Sequence, residues 1–475
     1  MMIPFIGQSY RHDSLPISAQ RCLNIYAEKQ PPGAKTQVSG HGPPGIVTWA
    51  TLGTGPIRGW KLLGGLLYVV SGPWLYSVTN APTPVVTQLG GQISGSGVVS
   101  IADNGDEIVI VNGTNGYIYD TTSGFRIITD TDFHAAKTVA FLDGFFLYDR
   151  DGTNQVFRSD LLDGASYEAL AFASKEAKSD NVQAVLNVNQ IAYVLGVSSS
   201  ELWPNANAAF FPFQRQATID RGLIAPHATA QEDQTLFLIG EDRIAYKLSG
   251  TQLMRISTHA IEQAWQKYTS ISNAFGLAYT WNGHKFIVFT FPTEQVALGD
   301  SASWAYDIST GLWHERLSYD RMGNPLGRWR ANCTIAAYDK TLVGDALTGK
   351  IGYLSGTVQT EFDDPIYARA VAPTISAGTK RVFCSALQLD IEAGVGLTSG
   401  QGEDPQVMLD ISEDSGFTWG SQQSWESMGR KGAYRTQPRW TRLGSTDTGF
   451  TFGITISDPV KKTILAADAD VKIGM

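Results

Sequence analysis

Residues 106–120 read DEIVIVNGTNGYIYD: an acidic turn, a β-branched run, an Asn/Gly turn, and a second run ending in Tyr and Asp. Period-two alternation in such runs marks a strand. Asn-Gly pairs favour hairpins because both residues tolerate positive φ. Asn112-Gly113, Asn115-Gly116 and Asn282-Gly283 all carry this signal. The unit recurs as GLLYVVSGPWLYSVT from Gly65, DGFFLYDRDGTNQVFRSD from Asp143 and NQIAYVLGVSSSELW from Asn189. It continues as DQTLFLIGEDRIAYKLSG from Asp233, NGHKFIVFTF with SWAYDISTGLWHERL from Asn282, and DKTLVGDALTGKIGYLSG from Asp339. Starts lie roughly 35 to 50 residues apart, the period of a stacked array or propeller. One blade cannot bury its apolar faces alone, whereas neighbours wedged around an axis do so and leave few open edges. The spacing predicts a β-propeller of seven blades, or six if one copy is an insertion.

Outward from the repeats the pattern changes twice. Residues 1–50 do not look like a blade, because Pro31-Pro32-Gly33 and Gly42-Pro43-Pro44-Gly45 break strands and helices alike. They read as an N-terminal extended arm around RCLNIYAEKQ, either wrapping its own propeller or inserting into a neighbouring subunit. After Gly356 come longer alternating strands, RVFCSALQLDIEAG, PQVMLDISEDSG, RWTRLGSTDTG and FTFGITIS. These predict a C-terminal antiparallel β-sandwich. The expected divisions are 1–50, 51–356 and 357–475. A helix is expected over 259–268, where Ile261, Trp265 and Tyr268 share one face.

The chain has 475 residues, 43% apolar and 11% aromatic, with net charge −9. That balance disfavours a nucleic-acid grip, which needs a basic face, but suits a channel along which nucleic acid slides without sticking. Cys22, Cys333 and Cys384 are three and widely spaced, so no disulfide framework is expected and a reducing place of folding is. Neither a signal peptide nor an apolar run long enough for a membrane helix is expected.

Catalytic chemistry has little foothold. Residues 412–419, SEDSGFTW, fit the Asp-box hairpin, in which a short carboxylate bonds its own turn. A glycosidase needs two carboxyls across a cleft. The candidates Asp149 with Asp151 and Asp363 with Asp364 sit in turn-like segments. His12, His41, His134, His227, His259, His284 and His314 are scattered singly, so no metal site is expected. No cofactor motif is found. Two basic-aromatic clusters stand out, one over 321–330 and one over 430–442, with the composition of interface hot spots. From these, Arg328, Trp329, Arg330, Arg435, Arg439, Trp440 and Arg442 are candidate interface residues, joined by Arg21, Asn24 and Tyr26 from the arm.

Several segments, in order, resemble the packaged-DNA stabilisation protein of P22-type short-tailed bacteriophages, also called the tail hub or nozzle. They are HGPPGIVTWATLGTGPIRGW, GLLYVVSGPWLYSV, AFLDGFFLYDRDGTNQVFRSDLLDGASY, STHAIEQAWQKYT, SWAYDISTGLWHERL and QPRWTRLG. The resemblance spans nearly the whole chain at low identity. It implies a virion tail protein without enzymatic activity, folded in the host cytoplasm and assembled as a homohexamer below the portal and its adaptor protein. That ring would hold a tail needle or plug, attach fibre or spike proteins, and keep the genomic DNA from leaking without sequence-specific binding. Residues in matching segments such as Arg58, Gly59, Arg221 and Gly222 are expected to be structural. Six copies would carry about −54 (six times −9), so an acidic channel wall is a further expectation. The alternative from another class is a carbohydrate-binding or sialidase-like propeller. A receptor-binding fibre is a third possibility, disfavoured because the chain lacks a long repetitive shaft.

Overall fold

Each repeat folds as one four-stranded antiparallel sheet in a computed structural model that describes residues 1–420 and 424–474. Blades 1 to 5 span 57–91, 100–127, 139–174, 182–219 and 229–255, and blade 6 spans 275–315. In blade 2 the strands Glu107–Val111 and Gly116–Asp120 pair with Val109 opposite Ile118 and Ile110 opposite Tyr117. Ile108, Val109, Ile110 and Val111 are all 0% exposed. Both faces of the blade are covered by its neighbours, which is why the run is apolar without a break.

Blade 7 closes the ring with strands from both ends of the repeat zone. Ala331–Ala337, Lys340–Asp345 and Lys350–Ser355 supply three strands, and Gly45–Thr51 is the fourth, with Val47 opposite Tyr353 and Ile46 opposite Leu354. Ring closure thus uses residues expected in the arm. Among the described residues the blades number seven.

The rest of residues 1–50 does not stand free either. Met2–Ile3, Tyr26–Lys29 and Val38–His41 join a sandwich sheet with Thr463–Ile473, Val382–Ile391 and Arg439–Thr446. Ala19–Leu23 lies between blade 6 and Ala368–Val371, so the second sandwich sheet is continuous with that blade. The physical reason is burial: Ile3, Phe5, Cys22 and Ile25, each 1% exposed, fill the same core as Leu387, Leu389, Val407, Phe450, Phe452 and Ile454.

The helix spans His259–Gln266, with Ile261 and Trp265 at 0% exposure, and packs into the core of blades 5 and 6. Of the Asn-Gly turns, Asn282-Gly283 has positive φ at both residues, 48° and 81°, as a two-residue hairpin turn requires. Residues 112–115 form a longer turn instead. There Gly113 alone has positive φ, and the Asn112 side chain accepts the Thr114 and Asn115 N–H groups. Gly116 begins the next strand.

Candidate functional site

Six of the ten candidate interface residues are buried inside this chain, which corrects their expected exposure. Arg21 reaches Glu315 with Nη2 2.5 Å from Oε2 and Nε 2.9 Å from Oε1. Asn24, 0% exposed, donates its amide to the carbonyls of Leu317 and Tyr367 and accepts the Leu317 N–H. Tyr26 packs edge-on against His284 and Phe286 with ring centroids at 5.1 and 5.3 Å. The arm residues therefore fasten the N-terminal strands to blade 6 and the sandwich.

The cluster around Arg328 is also used internally. Trp329 is 0% exposed and donates its indole N–H to Glu361 Oε1 at 2.9 Å. The guanidinium of Arg316 stacks on the Trp329 ring at 4.6 Å and donates to the same Glu361 oxygen at 3.0 Å. Ser318 bonds the other oxygen of Glu361. Arg330 makes a two-pronged contact with Asp345, both arms at 2.9 Å, and reaches Asp364 at 2.6 Å. Half-buried Arg328 donates to the Trp329 carbonyl and to Asn332 Oδ1. Buried charges persist only when paired and hydrogen-bonded, and here blade 7 and the strand after it supply the partners.

The second cluster divides along its strand. Trp440 is 5% exposed and gives its indole N–H to the Ser424 carbonyl. Arg435, Arg439 and Arg442 are exposed, and among the described residues none has a carboxylate within ion-pair distance. Arg439–Thr446 is the edge strand of its sheet, and charge on such an edge discourages promiscuous strand pairing.

The carboxylate pairs considered for sugar chemistry serve the fold. Asp149, 0% exposed, accepts the Thr138 N–H and hydroxyl at 2.6 and 2.8 Å, and burial pushes its pKa up to about 6. Asp151 pairs with Lys137, and Asp364 with Arg330. The Asp-box closes on itself: Asp414 accepts the Thr418 hydroxyl at 2.6 Å and N–H at 2.8 Å, which hold its pKa near 2. Trp419 of the same hairpin lies under the Arg369 guanidinium at 5.0 Å.

The matching-segment residues are structural as well. Arg58, 1% exposed, donates to the carbonyls of Gly72, Ile93, Ser94 and Gly97, tying blade 1 to the segment entering blade 2. Gly59 faces Val99 so closely that a Cβ would sit 2.9 Å from its methyl. Arg221 pairs with Glu241 and Asp242. A Cβ on Gly222 would fall 2.0 Å from the Val197 carbonyl oxygen.

The propeller axis holds a cavity of about 390 Å³ bounded by the inner strands of all seven blades. Arg58, Trp60, Thr138, His227, Thr229 and Asn332 line it, and among the described residues no Asp or Glu does. Its lining is therefore not acidic. Sequence reasoning missed a cluster at the junction, where Tyr26, His41, His284, Phe286 and His314 meet across four strands. The Glu28 carboxylate lies 3.3 Å from His41 and 3.9 Å from His284, and His284 Nδ1 lies 2.7 Å from Asp307. Among the described residues no group of three or more His, Cys, Asp or Glu could hold a metal ion, and no helix is long and apolar enough to cross a membrane.

These features define an all-β chain, a seven-bladed propeller sharing strands with a sandwich, whose most conspicuous polar clusters bind one another. The chain belongs to the Bacteriophage P22 Gp10 family: the family's β-propeller matches residues 1–359 and its β-sandwich residues 368–472. No curated protein matches this chain. Among solved structures, the WD40 β-propeller domain of Doa1 is similar at 10% identity and TM-score 0.42, covering 66% of this chain and 97% of that one. The extracellular domain of the putative one-component system BT4673 from B. thetaiotaomicron is similar at 10% identity and TM-score 0.44, covering 84% and 48%. The N-terminal domain of Nup159 is similar at 11% identity and TM-score 0.38, covering 71% and 99%.

Proposed function

We propose that this protein is a non-enzymatic tail hub of a short-tailed phage, assembling as a homohexameric ring below the portal and its adaptor. The ring retains packaged DNA and offers attachment to a needle, fibres or spikes. The observation that carries this is family membership over both the propeller and the sandwich. The internal pairing of Glu361, Arg330, Asp149 and Asp414 supports it, since those groups are occupied in holding blades and hairpins. The work then falls to outer surfaces, and obligate assemblies commonly bury more than ~2,000 Å² per contact. DNA would pass through the space between copies, not along the axis of one propeller.

The test is to mix the purified chain with adaptor-bearing heads and image the product by negative stain, using a C-terminal tag for placement. Sixfold rings at the vertex are expected. A chain that stays off the heads and cleaves a chromogenic glycoside would overturn the proposal in favour of a sialidase-like propeller.

A further inference from the structure

Blade 3 has the most irregular rim of the propeller. Its outer strand, Asp163–Ser174, pairs with Phe172 opposite Phe157 and Tyr167 opposite Ser159, so four residues on the outside lie against one, Arg158, on the inside. The surplus residues, 168–171, bulge outward. Leu170 on the bulge is 73% exposed, and Phe210, also 73% exposed, arrives from blade 4. Arg158, beneath the bulge, donates to the Phe210 carbonyl at 2.9 Å and lies 3.8 Å from Glu168. Blades 2 and 3, the second of which carries this rim, are also the acidic part of the chain, and Asp163 and Glu168 stand exposed on the rim itself. Residues 100–180 contain fourteen Asp and Glu against six Lys and Arg, a net −8 of the total −9.

The sandwich carries the complement. Residues 428–446 contain five Lys and Arg and no Asp or Glu. Arg435, Arg439 and Arg442 are exposed there, and Tyr434 beside them is 79% exposed. Arg442 sits at φ 62° where the register slips against Val382–Ile391.

The two surfaces lie on opposite sides of one molecule. The sandwich joins the propeller at the outer strands of blades 6 and 7. In a seven-bladed ring, the blade facing the boundary between the sixth and seventh is the third. Arg439–Thr446 is four strands away from Tyr26–Lys29, which packs on blade 6, or ~19 Å at the usual strand spacing. The topology therefore sets the two surfaces apart within one chain.

We propose that the arginine edge of the sandwich docks on the bulged, acidic rim of blade 3 in a second copy of this chain. The contact is head-to-tail, which closes into a ring when the rotation between copies allows it. The bulge and the edge arginines both discourage plain strand addition, so side chains make the contact. Arg435, Arg439 and Arg442 face Glu168 and Asp163, while Tyr434 meets Leu170 and Phe210. This rests on the ring assembly proposed above and assigns its surfaces.

The test combines Leu170→Cys with Thr441→Cys in one chain and adds a bismaleimide, both to the free chain and to the chain assembled on adaptor-bearing heads. Cys22 and Cys384 are buried and Cys333 is half-buried, so the unsubstituted chain is the background control. A ladder of covalent oligomers is expected from the double variant and none from either single variant. Covalent dimers from a single variant would mean a symmetric contact and overturn the pairing. Rings on heads without a ladder would overturn the pairing and leave the ring standing. Absence of any oligomer, free or on heads, would overturn both. As a second readout, Glu168→Arg should weaken assembly at least tenfold, and adding Arg442→Glu to the same chain should restore part of it. Assembly indifferent to both substitutions also overturns the contact.

Discussion

The propeller and the sandwich are built from the same kind of strand by opposite routes. Blade 2 needs only residues 100–127, and its strands pair in chain order. The sandwich needs both ends of the chain: Met2 pairs with Asp468, and Arg21 with Val371. Local pairing closes short loops, whereas the sandwich must bring together residues separated by nearly the whole sequence. Met2–Ile3 pairs with the C-terminal strand Thr463–Ile473, whereas Tyr26–Lys29 and Val38–His41 pair with each other and Ala19–Leu23 also touches blade 6. Continuity of one sandwich sheet with blade 6 joins the region of non-local pairing to the region of local pairing. What separates the regions is connectivity, and what joins them is a small number of buried contacts at their boundary.

Glu361 is the most heavily used of those contacts, bound by Arg316, Trp329 and Ser318 at 2% exposure. Glu361→Ala would leave the Arg316 guanidinium, 0% exposed, without its carboxylate. Removing one member of a buried pair costs about 3–5 kcal/mol, and urea denaturation should show a loss of that size. A loss below about 1 kcal/mol would mean that the boundary tolerates an uncompensated arginine, and that the regions are less coupled than their shared strands suggest.

Phe5→Ala sharpens the contrast from the sandwich side. Phe5 is 1% exposed among Leu387, Phe450 and Ile454, and truncating a buried Phe costs about 3 kcal/mol or more. Hydrogen exchange should show Val382–Ile391 and Thr463–Ile473 losing protection while Glu107–Val111 in blade 2 keeps its own. Equal loss in all three would show one cooperative unit and erase the distinction.

The same difference in connectivity explains what could be read from the sequence. Blades were legible because each repeats its turn and its alternating runs within a short window. The fourth strand of blade 7 was not, because Gly45–Thr51 lies behind Pro43-Pro44 and its partner begins at Lys350. The sandwich strands of the N-terminus were hidden for the same reason: Ile3, Phe5 and Cys22 are apolar, but nothing near them in sequence announces a core. The two arginine-aromatic clusters look alike in composition, yet Arg330 is 4% exposed while Arg439 and Arg442 face solvent. Composition does not distinguish a strand entering the last blade, where Asp345 and Glu361 wait, from a strand at a free edge. The charge contrast between residues 100–180 and 428–446 was present in the sequence; only the fold shows that the two lie on opposite sides.

The junction should also respond to pH, with a smaller effect than either substitution. His314 is 3% exposed on Leu312–Glu315 of blade 6, with Tyr26 at 6.4 Å and Phe286 at 5.5 Å. Burial, and then the charge of Arg316, holds its pKa down to about 3; Asp307 pulls the other way, and His284 adds to the lowering. The unfolded chain therefore takes up a proton below the usual histidine value of about 6.5 that the folded chain refuses. Stability falls as pH drops through that window, by about 1.4 kcal/mol per pH unit for one proton, or roughly 2 kcal/mol by pH 5. His284 works in the opposite sense. Its hydrogen bond to Asp307 raises its pKa, so its contribution is complete below the unfolded value and is lost as pH rises through the folded one. His314→Gln removes the first effect and leaves the second, so melting temperatures measured from pH 7 to pH 5 should fall less steeply than in the parent chain. An unchanged slope would assign the acid sensitivity to the carboxylates of the blades and free the boundary of it.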